Sequence, residues 1–600
     1  MAPRNLTHAQ LPGASRREFL RVSGLAGLAV GSWSLTGCGL FDQSTPGGTG
    51  DGAAGQNHLR ITFTTVETLD PQVITNGMWI LSRGLLEGLV TQNETGDDVI
   101  PAVAEDWRTS DDLLTYTFTL RSDARWSNGD PVTAQDFERT YRRLLTPSGG
   151  STGGTTAGAN SYQASTGIKG AVDFLSGVTD DWSTVGIEAE DAQTLRITLE
   201  SPNPDLLLAL THPALLPLHM DSVEQKKDSW QEPPNFVSNG AYQVEEWTKN
   251  SSLELTPNKE YWNAKEVSLD RITVFLVEPT ASGTNSVPYE NGETDILQVS
   301  DADVLRFQED PKLTEHLHEV DTYSIAYLGR LRSEHPAMDD VRVRKALSIA
   351  LDRKRLAEVV SGARPGVSLV TDRTLGWDES IAVEESVEEA KQLLADAGYP
   401  GGKGLPEIRI LSGVDSPLVD AIIDTWKRNL DIPARADTVE AGVYTERRWQ
   451  VQKDDYIGFY FGTFAGLPTW PTMVGTLWSP EDIQRFSLPS EIWGRFQQIE
   501  LDEEMDADTK AKRLQALLTE HRSDGATELL DLVPRATREP DEKKRVEMFL
   551  RAAKIREEEY VFVPVGWLSV YFAIRPNVTG VSLRPYPDFF YLGPLGLKQS

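Results

Sequence analysis

Residues 106–137 read DWRTSDDLLTYTFTLRSDARWSNGDPVTAQDF. Leu114, Tyr116, Phe118 and Leu120 alternate with Thr115, Thr117, Thr119 and Arg121. A period of two in β-branched and aromatic residues predicts a half-buried strand. In the following Ser127-Asn128-Gly129-Asp130-Pro131, Asn-Gly supplies positive φ and Pro131 fixes the exit, so the chain turns. Thr133 is then placed to cap a helix whose third residue is Asp136, with Phe137, Tyr141 and Leu144 along its apolar face. By itself this is a strand–turn–helix unit.

Six hundred residues exceed what one hydrophobic core serves, so two or more domains are expected. The formal net charge of −32 excludes nucleic acid as a partner, because phosphate binding needs clustered Lys and Arg. No heptad array or solenoid period is visible.

Near the N-terminus, Ser15-Arg16-Arg17-Glu18-Phe19-Leu20 resembles a twin-arginine export motif. The apolar run from Val22 to Leu35 that follows it is too short to span a bilayer, which needs roughly 20 residues. It ends in Leu35-Thr36-Gly37-Cys38, which resembles a lipobox, and Cys38 is the only cysteine of the chain. An intramolecular disulfide is therefore impossible. The expectation is a signal peptide over 1–37, lipid attachment at Cys38 and a flexible tether to residue 57, with a lipid anchor in place of a transmembrane helix. As a coil, residues 42–57 reach roughly 20–25 Å.

Working outward, residues 58–63 read as a first strand, followed by Glu67-Thr68-Leu69-Asp70-Pro71-Gln72. Ile80, Leu81, Leu85 and Leu89 predict a helix from Ile80 to Val90. Residues 147–167 are rich in Gly, Ser and Thr and are expected to be a surface insertion. Its Gly149-Gly150-Ser151-Thr152-Gly153 matches G-x-S-x-G by letter, but neither the preceding strand nor the following helix is there, so Ser151 is not expected to be catalytic. Residues 187–199 predict a hairpin turning at Asp191-Ala192. SNGAYQVEEWTKNSSLELTPNKEYWN (238–263) predicts a second hairpin about Lys249-Asn250-Ser251. DDVRVRKALSIALDRKRLAEVVSG (339–362) predicts a helix capped by Asp339 or Asp340, stopping at Gly362, with Arg342, Arg344 and Lys345 as a solvated basic edge. Helices are expected at 386–398, 417–430 and 541–559, and a buried strand over 561–567.

Three of these stretches together (106–137, 238–263 with 289–297, and 339–362) resemble family 5 of the extracytoplasmic solute-binding proteins, the oligopeptide-, dipeptide- and nickel-binding lipoproteins of ABC importers. The resemblance covers about residues 58–600. It implies an α/β, periplasmic-binding-protein-like fold: two lobes with central mixed β-sheets flanked by helices, an interlobe ligand cleft, and an extra subdomain in the first lobe. Residues 58–95, 236–319 and 560–600 would form the first lobe, 96–235 the extra subdomain and 320–559 the second lobe. Crossovers are expected near Val320-Asp321-Thr322-Tyr323 and Glu559-Tyr560-Val561.

The implied function is capture of a small solute, by family default a peptide, between hinged lobes, with delivery to ABC permease subunits by a monomer on the extracytoplasmic face. Ligand-binding residues carried over are Asn76, Tyr162, Tyr323, Tyr460, Phe464, Leu467, Trp470 and Trp567. Peptide-binding members place an Asp at the position aligned with Leu467, and an apolar side chain cannot neutralise a buried ammonium. An oligosaccharide is therefore an alternative ligand, and an envelope binding or signalling lipoprotein without transport an alternative role. No HExxH, paired-Cys or other catalytic constellation is present, and His316 with His318 does not make a metal site, so no enzyme, metal or cofactor is expected.

Overall fold

The alternating stretch forms the strand Thr115–Leu120, with Tyr116, Phe118 and Leu120 buried. This computed structural model describes residues 57–598 apart from 65, 67, 74–78, 97, 147–166, 278–284, 361, 453–455, 466–468, 477–479, 503 and 585–588. Gly129 takes φ +90° in the turn. The Thr133 backbone N–H and hydroxyl both donate to the Asp136 carboxylate, at 2.8 and 2.9 Å, and the helix Ala134–Leu145 buries Phe137, Tyr141 and Leu144. The strand sits inside a four-stranded sheet ordered Ala104–Thr109, Thr115–Leu120, Thr194–Thr198, Ile187–Ala189. Both expected hairpins form, the second as Tyr242–Thr248 against Ser252–Pro257.

Two helices end sooner than their apolar spacing implies. The first runs only from Trp79 to Leu85. Beyond it the backbone is taken up by distant partners: Gly240 N–H donates to Leu85 O, the Glu87 N–H to Asn239 Oδ1, and Val103 N–H to Gly88 O. Val90 opens a short strand instead. The stretch 339–362 divides into Val341–Ile349 and Arg353–Ala357, capped separately by Asp340 and Asp352. Its basic residues are not one solvated edge. Arg342 pairs with Asp340 and Lys345 with Glu389, but Arg344 is buried and donates to the carbonyls of Met338, Asp339 and Glu559.

Among the described residues the central sheet has eleven strands. Around His58–Thr64 it is mixed: that strand lies parallel to Arg271–Val277 and Ile296–Val299, and the hairpin 242–257 extends the edge antiparallel. At the far end, Ala434–Thr438, Ile408–Ser412 and Ile457–Ala465 run parallel. Two long antiparallel strands, Leu317–Arg330 and Phe562–Ile574, join these ends. The first part of Leu317–Arg330 pairs with residues 569–573, while Ser324 onward pairs with residues 562–568 and also with Ile457–Ala465.

Apolar side chains gather accordingly. One large cluster runs from Leu59 through Phe118 and Phe137 to Phe590, so the 104–198 sheet shares its core with the N-terminal strand. Around the far end, alternate residues of the two long strands face opposite ways. Ala326, Leu328, Val563 and Val565 enter one cluster with Trp426, and Ile325, Phe562 and Trp567 another with Phe549.

Candidate functional site

The two long strands pass from one end of the sheet to the other at a break in their register, between Asp321 and Ser324. Tyr323 lies in the break with φ +51°, a left-handed conformation that costs an L-residue roughly 1–2 kcal/mol. The Thr322 hydroxyl donates to Leu568 O at 2.6 Å, bridging the gap in the ladder. Beside it the Asp321 carboxylate accepts from the Ser569 hydroxyl (3.2 Å), Arg364 (2.9 Å) and Arg373 (2.7 Å). Arg364 is also held by Asp372 at 2.8 and 3.1 Å. Burial pulls the Arg364 pKa down, but Asp372 and Asp321 outweigh it and hold the guanidinium above its ordinary value. Arg364 lies on the short strand Ala363–Pro365, opposite Trp567 in register, its guanidinium 5.4 Å from that ring's centre.

Four of the expected ligand residues, Tyr323, Tyr460, Trp470 and Trp567, come together in one buried cluster. Trp567 donates from Nε1 to Ser368 O at 3.0 Å and meets Trp377 edge to face. Trp470 donates to Leu375 O at 2.7 Å and stacks on Phe549. Tyr460 lies across Gly329, the residue opposite it on the neighbouring strand, where a Cβ would fall 2.1 Å from the ring's Cζ. The Tyr327 ring covers Gly462 in the same way. Burial first, then the neighbouring Tyr327 and Tyr444, pushes the Tyr460 pKa well above the usual phenol value. Phe464 is half-buried beside Ile325 on the same pair of strands. Asn76, Tyr162 and Leu467, together with Cys38 and Ser151, lie outside the described residues.

One further charged residue was not singled out by sequence reasoning. Asp205 precedes the short helix Leu206–Ala209 but does not cap it with its side chain. Its carboxylate lies in the field of Arg545 and Glu542. Burial raises its pKa, an effect that Arg545 and Thr469 oppose. Arg364 and Arg373 were missed as well, since nothing in their local sequence distinguishes them from surface arginines.

Of the two histidines His316 and His318, the first is half-buried, with Nδ1 2.8 Å from the Tyr289 hydroxyl, and the second is exposed. Among the described residues no three His, Cys, Asp or Glu side chains gather as metal ligands, and no helix is long and apolar enough to cross a membrane.

An aromatic, apolar cluster edged by paired charges thus lies at the passage between the two sheet ends. The model for "Bacterial extracellular solute-binding proteins, family 5 Middle" matches residues 98–485. The chain belongs to this solute-binding family. The periplasmic oligopeptide-binding protein of Escherichia coli is 30% identical over 455 residues, covering 73% of this chain and 79% of that protein. A probable deoxycholate-binding periplasmic protein of the same organism is 30% identical over 391 residues, covering 64% and 71%. The solved E. coli murein tripeptide-binding protein superposes with a TM-score of 0.68 at 24% identity, covering 91% of this chain and 99% of that one. The family 5 fold, mixed α/β with helices flanking a central mixed sheet, is therefore that of the present chain.

Proposed function

We propose that this family 5 protein is the lipid-anchored receptor of an ABC importer. It captures a small peptide between two hinged lobes and delivers it to the permease subunits. The observation that carries this reading is the pair of long strands with a register break beside the aromatic cluster. Two chains crossing at one flexible point are what a hinge needs, and closure about them buries a ligand at the crossing. The first lobe would comprise residues 58–95, 236–319 and the C-terminal segment, with 96–235 as a subdomain that shares its core. The second lobe would follow from residue 320. The break in strand register favours placing the second crossover at Leu568-Ser569, opposite Asp321, in preference to 559–561. Relatives named as oligopeptide- and tripeptide-binding support a peptide as ligand. The single Cys38 behind an export-type segment supports lipid attachment, with the receptor held as a monomer on the extracytoplasmic face.

The test is to purify the chain from its own host without denaturation, identify co-purifying small molecules by native mass spectrometry, and follow the radius of gyration by X-ray scattering. A ladder of peptide masses and compaction on adding peptide are expected. A protein that neither carries nor compacts on any peptide would overturn the reading. A second reading, a solute without an ammonium group such as an oligosaccharide, is favoured by the apolar Leu467 and by the relative named as deoxycholate-binding. A co-purified species of that kind would establish it. Permease and ATPase genes beside this one would separate transport from a binding or signalling role.

A further inference from the structure

The register break between the two long strands is a two-residue bulge. Asp321 stands opposite Ser569 and Ser324 opposite Leu568, so Thr322 and Tyr323 have no counterparts on the facing strand. A bulge interrupts the ladder and bends its strand, so ladder bonds do not by themselves set the angle at which the two sheet ends meet. Contacts that cross the break do. One is made by backbone: the Ser569 N–H donates to Gly362 O at 2.6 Å. Gly362 has φ +81°, and a Cβ there would fall 2.7 Å from Ser569 O, so this crossing requires glycine. Two more converge on the Asp321 carboxylate, which lies on the Leu317 side of the break. It meets Arg364 Nη2 at 2.9 Å and accepts from Arg373 Nε at 2.7 Å. Arg364 belongs to the strand that pairs with residues 566–568 beyond the break, and Arg373 to a turn a few residues further on.

The geometry of these pairs suits them to fixing an angle. Asp372 grips Arg364 at 2.8 and 3.1 Å, which locks the planar guanidinium in one orientation toward Asp321. The Asp321 side chain is only 16% exposed, so solvent and salt screen its bonds less than those of a surface pair. Rotation of one sheet end against the other alters the separation of Asp321 from both arginines, because they stand on opposite sides of the break. The Arg364–Asp372 pair stays on one side and moves as a unit. Resting on the hinged-receptor reading above, we infer that Asp321, with Arg364 and Arg373, forms an ionic latch across the hinge that sets the interlobe angle of the unliganded protein.

The experiment uses the whole chain carrying Cys38→Ser, Val178→Cys and Leu501→Cys, the last two at exposed positions on either side of the hinge, labelled with a fluorophore pair and read by single-molecule energy transfer. Asp321→Asn is added to this background; it removes the charge and keeps an acceptor for the Ser569 hydroxyl. Without ligand, the chain with Asp321 is expected to show one dominant transfer efficiency. Asp321→Asn should lower the ratio of that population to all others by roughly 5-fold or more. Raising KCl to about 1 M should move the chain with Asp321 toward the variant and leave the variant unmoved, because the pairs that cross the break are already gone from it. A distribution that neither Asp321→Asn nor salt alters overturns the latch, as does an equal response of both chains to salt. The hinged receptor stands in either case if an equimolar pool of synthetic tri-, tetra- and pentapeptides shifts the distribution of the chain with Asp321. If that pool leaves it unmoved, the hinged-receptor reading itself fails and takes this inference with it.

Discussion

Around the strand His58–Thr64 the interior is one large apolar cluster with a small one beside Ile296–Val299, and most of its buried charges are carboxylates: Asp70, Asp295 and Asp303 are each met by a partly exposed arginine (Arg143, Arg60 and Arg306), with the buried Arg584 as the exception among the described residues. Around Ile408–Ser412 and Ile457–Ala465 the interior is divided into two large apolar clusters, and most of the buried charges are arginines, Arg330, Arg332, Arg344, Arg353 and Arg556, with Glu557 beside Arg556 as the one buried carboxylate among the described residues. Most of these guanidiniums donate to backbone carbonyls far away in sequence. Arg330 donates to Phe486 O and Leu488 O (2.9 and 3.2 Å), and Arg344 to Glu559 O (2.8 Å). Arg353 donates to Pro564 O and Gly366 O (2.9 and 3.1 Å). An apolar cluster adapts to small errors, whereas a planar five-donor fork fixes where each loop sits. The region that lines the candidate cleft is thus held by directed bonds, and the opposite region by area.

The largest effect that follows is at Arg353. Arg353→Met removes the donors to the carbonyls of Pro564, Gly366 and Ser348, leaving them buried without these partners, and takes the guanidinium from Glu385, its partner at 3.1 Å, which keeps the residue-353 backbone N–H. A loss of about 3–5 kcal/mol is expected in urea unfolding. Phe118→Ala, which only opens a cavity in the apolar cluster, belongs in the same range. The two should nevertheless part in binding. Arg353→Met should weaken ligand capture in excess of its stability cost, because Gly366 and Pro564 flank the strand pair 363–365/566–568 beside Trp567. A cost below about 1 kcal/mol would remove the distinction between the two regions.

The same contrast explains what was legible in the sequence. Residues 106–137 declare their strand, turn and capped helix because every signal is local: alternation, Asn-Gly, and a cap three residues from its partner. The aromatics of 460–470 declare nothing so definite. Whether Tyr460 faces a cleft or a core depends on Gly329 lying opposite it, a pairing across more than a hundred residues. Arg344 reads as surface because its carbonyl partner at Glu559 belongs to another helix end. The helix at Ile80 overshoots in the sequence reading since Asn239 and Gly240, distant in the chain, capture its last turn. Asp205 carries no local mark at all.

A medium effect should come from acid, and it tests whether the apolar region has a titratable weakness of its own. His212 accepts from Ala214 N–H at 3.2 Å, and burial, with Arg83 nearby, pushes its pKa down to about 3. The folded chain therefore keeps His212 neutral, while the unfolded chain takes up a proton below pH 6.5. The contribution is complete above pH 6.5 and is lost progressively toward pH 3. Between pH 6.5 and 5 the loss is roughly 2 kcal/mol from this one group. The midpoint of urea unfolding should fall over that interval, and His212→Asn, which retains a capping acceptor, should flatten the slope. An unchanged slope would assign the acid sensitivity to other groups.

The smallest effect concerns the stretch from which the fold was read. Thr133→Ala removes one of the two donors that Thr133 gives Asp136 and leaves the helix's buried face of Phe137, Tyr141 and Leu144 intact. About 1 kcal/mol is expected in thermal or urea unfolding. This number discriminates, because Asp136 also accepts from Trp126 Nε1 at 3.4 Å, and Trp126 is fully buried. If the cap is a local device, the backbone donor of Thr133 still holds the carboxylate and the cost stays near 1 kcal/mol. If it instead orients Asp136 for Trp126 and the core behind it, the cost should exceed about 2–3 kcal/mol, since burial already raises the Asp136 pKa and a lost donor favours its protonated form. The larger value would mean that this segment, legible because its signals are local, is nonetheless anchored by the same directed bonding that marks the other half of the molecule.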